Sequence, residues 1–304
     1  MTQRVPPTTT GRMNGSSPVR PRCPRCVACG GEEPARVVFQ KWGYSILRCE
    51  TCGLGSTEVG RDFTAHTLYD RGYFHGERRD GYADYVRSER VLRAEFRQTL
   101  KHLTRHGGAG GRLLEVGCAY GFFLAEAQRY YHTTGLDVSA DAVSFARARG
   151  LDAHQGVLTN EFVAERGPFD VAAMLDVIEH LEAPDDVLAC IYGALRPGGH
   201  VVITTGDWDS LFARIAGRHW RLMTPPQHLF FFSRTTIKLL LSRLGFEVVA
   251  ICRPWKLVPL GLAAFQAASR FGVDVPLQRV LNAVAVPMNL FDAMRVIARK
   301  TPPS

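Results

Sequence analysis

Two rhythms of apolar residues alternate along this chain. Within residues 84–106, Leu92, Phe96, Leu100 and Leu103 recur at helical spacing, as a helix with one buried face requires. Gly107-Gly-Ala-Gly-Gly111 ends that pattern. Short apolar runs follow at 112–116, 134–137, 152–155, 169–175, 200–205, 246–252 and 294–298, and each predicts a strand. Helical patterns separate them: 122–130, a helix capped by Ser139 and stopped by Gly150, one opened by Pro184, and one capped by Ser233 and stopped by Gly245. In the last of these, Ile237, Leu240, Leu241 and Leu244 share one face. Strands alternating with helices predict an α/β fold, a doubly wound sheet with its ligands at the carboxyl ends of the strands.

Composition sets limits on this picture. The chain has 304 residues, 46% hydrophobic and 22% charged, the balance of an ordinary globular protein. No apolar run reaches the length of a membrane span, and the N-terminus lacks the apolar stretch of a secretory signal. The expected location is therefore cytoplasmic. Residues 1–21 read as a disordered tail rich in Thr, Pro, Gly, Ser and Arg. A cysteine module at 22–60, an aromatic connector with a helix at 61–106, and a core at 107–304 complete the expected organisation. Half of the net charge of +8 comes from residues 1–36, which hold six Arg and two Glu. No dense basic run interleaved with aromatics follows, so a slightly basic surface explains the charge better than a nucleic-acid groove does.

The segment Glu115-Val-Gly117-Cys-Ala119-Tyr120-Gly121 follows the apolar pair Leu113-Leu114 and reads as a strand end, a turn of small residues and a helix start. Asp137 ends the next strand, 20 residues after Gly117. At that separation an acid takes the ribose hydroxyls of a nucleoside held in a βαβ unit. The loop is not a phosphate cradle, because its spacing is GxAxG and no Lys-Ser/Thr pair closes it. Small residues let the backbone approach a ligand closely, and Glu115 favours a cationic one.

On these residues the chain resembles the class I S-adenosylmethionine-dependent methyltransferases of the small-molecule type. Residues 115–121 look like their first motif, Asp137 like their ribose-binding acid, 169–181 like their fourth strand and its loop, and 195–203 like their fifth strand with its approach. Ala119 stands where many members carry Gly. The resemblance spans roughly residues 69–246. It implies a Rossmann-like, seven-stranded sheet with helices on both faces, and S-adenosyl-L-methionine as cofactor. It also implies contacts from Glu115, Gly117, Ala119, Tyr120 and Gly121 in the loop, from Asp137 to the ribose, and from Val138, Gly156 and Val157 to the adenine. Asp176 and Val177 would lie beside the methionine portion, and Tyr73 would belong to an aromatic lid. In relatives the last two strands are often joined by a shorter connection. Residues 254–289 are therefore expected as a helical insertion, which either extends the core or serves as a lid or dimer face.

Cys26-Val-Ala-Cys29-Gly30 and Cys49-Glu-Thr-Cys52-Gly53 lie 19 residues apart. The spacing matches a tetrahedral zinc site with Cys26, Cys29, Cys49 and Cys52 as ligands, and Cys23 as a bystander. The CxxCG turns resemble zinc-ribbon knuckles. Four thiolates leave no open position, so the expected zinc is structural, with a grip on nucleic acid as the rival role. Residues 37–47 read as a small hairpin packed on the core.

Methylation of an alcohol needs a base or a metal to remove the proton. His228, within Thr224-Pro-Pro-Gln-His228-Leu, and then His180 are the candidate bases, since imidazole titrates near neutrality. The alternative for His228 is a structural bond to a loop carbonyl. Asp176-x-x-Glu179-His180 resembles a divalent-metal triad of some quinone O-methyltransferases, although relatives without metal share Glu-His-Leu. Trp220 and Phe230–Phe232 either line an acceptor pocket or pack in the core. The expected function is S-adenosylmethionine-dependent O-methylation of a small-molecule acceptor, a sugar or secondary metabolite. An RNA methyltransferase and an inert cofactor-binding scaffold are the rivals, and a homodimer stays open.

Overall fold

The computed structural model describes residues 25–32, 34–60, 62–65, 85–86, 88–259, 285–288 and 291–301. Tyr73, Cys23, the tail at 1–21 and residues 260–284 lie outside the described residues.

The N-terminal module is a hairpin, β1 (Ala35–Lys41) and β2 (Tyr44–Cys49), followed by the short β3 (Gly55–Thr57). Its turn places Trp42 and Gly43 at φ of 53° and 85°, a left-handed pair of the kind that matches strand twist. Both cysteine turns close as knuckles, with the Gly30 amide donating to the Cys26 carbonyl at 2.8 Å and the Gly53 amide to the Cys49 carbonyl at 2.9 Å. Gly30 and Gly53 sit at φ of 75° and 82°, where a side chain would be strained.

The rest of the described chain runs α1 (Glu89–Arg105), β4 (Arg112–Val116), α2 (Phe122–Ala127), β5 (His132–Asp137), α3 (Ala140–Ala148), β6 (Ala153–Gln155), α4 (Asn160–Arg166), β7 (Phe169–Leu175), α5 (Pro184–Ala194), β8 (Leu195–Gly206), α6 (Leu211–Ala216), β9 (Phe230–Phe231), α7 (Arg234–Arg243), β10 (Phe246–Cys252), β11 (Lys256–Pro259), β12 (Ala285–Met288) and β13 (Ala293–Lys300). Seven strands form one sheet in the order β10-β13-β8-β7-β4-β5-β6. All neighbours are parallel except β13, which runs antiparallel to both β10 and β8. The order reverses between β4 and β7, and such a switch opens a crevice at the carboxyl ends of the strands.

Residue alternation along the strands feeds two cores. Leu114, Ala172, Met174, Val201, Ile203 and Val296 face one way, against Leu188 and Ile191 of α5 and Ile237, Leu240 and Leu241 of α7. Leu113, Val171, Ala173, Val202 and Ile297 face the other way, against Leu100 and Leu103 of α1 and Phe123 of α2. Two helices are started by the caps their sequence announces. Ser139 Oγ accepts from the Ala142 amide, and Ser233 forms a reciprocal capping box with Thr236; a cap of this kind contributes on the order of 1 kcal/mol.

Three strands coincide with their sequence pattern residue for residue: 112–116, 169–175 and 246–252. The strand expected at 200–205 begins earlier, because Leu195 already pairs with Phe169 before a bulge. The helices α4 and α6, of seven and six residues, are too short to show a periodic stripe. Within 254–289, the ends at 256–259 and 285–288 pair as an antiparallel two-stranded sheet rather than as helix.

The N-terminal module is joined to the core by continuous pairing. Strand β9, from the core, adds to β3 in a four-stranded sheet of order β1-β2-β3-β9. Arg243 of α7 fastens the other side, its guanidinium donating to the carbonyls of Val27 at 2.6 Å and Ala28 at 3.2 Å.

Candidate active site

The crevice is floored by the loop after β4. Gly117, Ala119 and Gly121 all take left-handed backbone, at φ of 76°, 44° and 75°. The loop curls back over the end of β5, with the Gly117 amide donating to the Leu136 carbonyl at 2.7 Å. A Cβ at Gly117 would collide with Val177 Cγ2. Glycine there lets the loop after β7 close on the loop after β4.

Asp137 ends β5 with its carboxylate already engaged. Oδ2 accepts from the Ala119 amide at 2.7 Å and Oδ1 from the Ser139 amide at 2.9 Å. The carboxylate is 8% exposed, and burial raises its pKa against the pull of those amides. On the neighbouring strand end the Gly156 amide donates to the Asp137 carbonyl at 2.9 Å, and Gln155 pairs with Asp137. Val138, Gly156 and the exposed Val157 therefore flank Asp137 at one edge of the crevice.

Glu115 is buried to 3% exposure, and its carboxyl is pushed well above the usual range by burial and then by the charge of Asp137. The Leu124 amide donates to it, so it caps the start of α2, while its Oε2 has no hydrogen-bond partner among the described residues. A buried acid in that state suits a cationic neighbour, since a positive charge restores the ionised form. The Tyr120 ring goes elsewhere. It packs with Tyr85 and edge-on to Phe145 at 4.9 Å, and its hydroxyl donates to Asp141 at 2.8 Å. Only the Tyr120 backbone belongs to the loop.

Asp176 follows β7 at φ 56°. Thr204 of β8 holds it: its hydroxyl accepts from the Asp176 amide and donates to Asp176 Oδ1, both at 2.9 Å. Beyond it, His180 and His228 meet in an edge-to-face contact with ring centres 4.6 Å apart. His180 Nδ1 lies 2.9 Å from the Gln227 carbonyl. A carbonyl only accepts, so Nδ1 carries the proton and Nε2 is left as a neutral acceptor. The His228 ring lies edge-to-face against His180 and 6.4 Å from the Phe231 ring centre. Burial lowers the pKa of both rings, His228 well below its usual value with His180 adding to the effect. The pair is thus neutral at physiological pH.

Ligand atoms of Glu179, His180 and His228 lie within 4.8 Å of one another. The cluster that folding assembles thus contains His228 in place of Asp176 from the expected triad. Trp220 is 1% exposed and donates its indole N–H to Asp292 Oδ2 at 2.9 Å. It packs in the core with Phe231 and Trp208, and with Trp208 it also borders a cleft shared with Phe39, Arg48 and Asp209. Phe230 and Phe232 are buried as well. Sequence reasoning passed over Thr204, Thr57 and the Gly117–Val177 closure, none of which carries a local motif.

In the N-terminal module the four cysteines converge, Cys26 Sγ lying 3.6 Å from Cys52 Sγ and Cys29 Sγ 3.9 Å from Cys49 Sγ. Cys26 is held down to about 5 by its hydrogen bond with Cys52, which is raised in turn. Four converging sulfurs at these separations are what a tetrahedral metal ligand set looks like before loading.

Residues 86–251, more than half of the chain, match the methyltransferase domain family. The chain belongs to that family. It has the seven-stranded, Rossmann-like sheet of the class I S-adenosylmethionine-dependent methyltransferases, with β13 reversed. The methyltransferase is 34% identical over 108 residues to a ubiquinone biosynthesis O-methyltransferase of Pseudomonas aeruginosa, covering 33% of this chain and 47% of that protein. To the protein of the same description from Pseudomonas fluorescens it is 28% identical over 176 residues, covering 51% of this chain and 76% of the other. It spans about half the length of the first of these relatives. A solved S-adenosylmethionine-dependent methyltransferase from Archaeoglobus fulgidus superposes with a TM-score of 0.49 at 19% identity, covering 72% of this chain and 100% of that one. No helix among the described residues is long and apolar enough to cross a membrane.

Proposed function

We propose that this enzyme transfers the methyl group of S-adenosylmethionine to a hydroxyl of a small-molecule acceptor, a sugar or secondary metabolite. The observation that carries the reading is the neutral His180–His228 pair, 4.6 Å between ring centres, beside Asp176 and two strands along the sheet from Asp137. The description of the Pseudomonas relatives as O-methyltransferases supports the same chemistry.

When bound, the cofactor supplies an activated methyl on a sulfonium, so the protein has mainly to align and deprotonate the acceptor. In this reading Asp137 holds the ribose. Val138, Gly156 and Val157 flank the adenine, and the Gly117, Ala119 and Gly121 backbone carries the rest of the adenosyl group. Asp176 and Val177 border the methionine portion, and Glu115 answers its positive charge from below. His228 accepts the hydroxyl proton, with the neutral His180 ring holding its orientation. A zinc ion held by Cys26, Cys29, Cys49 and Cys52 ties the two knuckles together, a structural role that the closed ligand set supports.

The test is incubation of the pure enzyme with methyl-labelled cofactor and a panel of catechols, phenols, glycosides and ribosomal RNA. Label in a hydroxylated small molecule supports the reading. Label confined to RNA, or cofactor binding with no transfer to any acceptor, sinks it.

A further inference from the structure

The segment that carries His228 is a narrow bridge held from two sides. On the core side, the Leu229 amide donates to the Glu179 carbonyl at 2.8 Å and His180 Nδ1 to the Gln227 carbonyl at 2.9 Å. On the other side stands a single residue of the cysteine module. The Thr57 hydroxyl donates to the His228 carbonyl at 2.6 Å, and the Thr57 amide donates to the Leu229 carbonyl at 2.8 Å. Pairing then continues, Ser56 opposite Phe230 and Gly55 opposite Phe231.

This register is fixed. A Cβ at Gly55 would lie 2.8 Å from the Trp208 ring and 3.0 Å from Phe231 Cβ, so β3 sits against the core as closely as a backbone can. Thr57 is 6% exposed, which shields both of its bonds from competing water. Two consecutive carbonyls bound to one residue fix the peptide planes on either side of Leu229. With the His228 amide donating to the Thr224 carbonyl at 3.0 Å, the backbone of His228 is held at both ends. The direction of its Cα–Cβ bond is then set, and the contacts with the His180 and Phe231 rings limit the freedom left to its own ring.

We propose that Thr57 is a positioning residue for the acceptor site: the cysteine-bearing module acts on catalysis by clamping the backbone of His228 through the Thr57 hydroxyl and amide. The inference rests on the assignment of His228 to the acceptor side. It gives the module a role that needs no outside polymer. A grip for nucleic acid would not require its last strand to run against the segment bearing the base. The clamp also separates two halves of the site. The cofactor edge, at Asp137 and the loop after β4, has no bond from β3, so loosening the clamp leaves cofactor binding intact.

The experiment compares Thr57→Val, which keeps the shape and removes the hydroxyl, with Thr57→Ser, which keeps the hydroxyl. Amide exchange and the imidazole signals of His228 are followed by NMR, and affinity for S-adenosylmethionine by calorimetry. In Thr57→Val, amides at 228–231 exchange about tenfold faster while those of β4 do not change. The His228 ring signals shift, and cofactor affinity stays within about twofold of the parent. With an acceptor from the panel, kcat falls about tenfold at unchanged KM for the cofactor, as a displaced base requires. Thr57→Ser restores all of these. Unchanged exchange and ring signals in Thr57→Val, or no recovery in Thr57→Ser, overturns the proposal. If no acceptor in the panel is methylated while the ring signals and exchange respond as stated, the clamp stands and the O-methylation reading is what has failed.

Discussion

The Ala119 amide donates to Asp137 Oδ2 at 2.7 Å, while Ala119 itself sits in the left-handed region at φ 44°. The loop after β4 and the acid at the end of β5 are therefore one unit: the unusual backbone at Ala119 aims its N–H at the carboxylate. Asp137→Ala removes this tie, the Ser139 bond and the proposed ribose acceptor together. Calorimetry is expected to show S-adenosylmethionine affinity reduced at least about a hundredfold, the loss of two or more charge-assisted hydrogen bonds. Affinity equal to the parent would displace the ribose from Asp137.

Ala119 carries a conformational cost that glycine would not, on the order of 1 kcal/mol. Ala119→Gly is expected to hold or raise stability by about 0.5–1 kcal/mol in urea unfolding, with cofactor affinity retained. Ala119→Val, with a branched side chain in the same backbone, is expected to lower stability. A destabilised glycine variant would contradict the strain.

The histidine pair gives a sign to the pH dependence. Burial holds both rings below the ordinary 6.5. In the unfolded chain they titrate near 6.5. Above that pH both states carry neutral rings and the pair costs no stability. As the pH falls below it, the unfolded chain takes up protons that the folded chain refuses, so stability declines toward acid. Turnover falls on the same side, as His228 gains the proton that blocks it. A midpoint for the acid limb above pH 6.5 in the kcat profile, or a His180→Ala, His228→Ala double variant with the parent's stability loss between pH 6.5 and 5, would refute this account.

The converging thiols predict one zinc per chain by elemental analysis. Cys49→Ser is expected to lose the metal and to speed amide exchange across β1–β3 first, with the seven-stranded sheet unaffected. A metal-free protein whose module exchanges as slowly as the parent would mean that packing alone holds the knuckles.

Asp292, 1% exposed, accepts from Trp220 Nε1 at 2.9 Å and from Arg221 at 2.9 and 3.0 Å. Asp292→Ala leaves a buried indole donor and an unpaired guanidinium, and is expected to lower stability by about 3–5 kcal/mol. Chemical unfolding measures it, and a loss under about 1 kcal/mol would show the network to be open to water.

Local signals carried much of this protein. The apolar runs at 112–116, 169–175 and 246–252 became strands of the same length, because a short apolar run bounded by turn residues is a signal carried by its own stretch of chain. The Ser139 and Ser233 caps and the CxxCG knuckles are equally local, each needing only a few consecutive residues. What the sequence could not reveal is made between distant segments. Thr57 meets His228 across 171 positions, and Thr204 meets Asp176 across 28; a threonine in a short strand gives no sign of which carbonyl it will reach. That His228 joins Glu179 and His180 is hidden for the same reason, since the segment returning toward β9 brings it there, with Gln227 meeting His180 across 47 positions. Tyr120 was read from its place in the loop, but its ring direction depends on Phe145 and Tyr85.

The residues by themselves determined the order of strands and helices, the acid at the end of the second core strand and the pairing of two cysteine knuckles, since these depend on period, turn conformation and ligand spacing along one stretch of chain. Only the tertiary structure decided that the cysteine module is stitched into the core beside His228, that the two histidines face one another, and that Asp137 is tied to the loop after β4, because contacts between remote segments are set by packing and register, which no single stretch encodes.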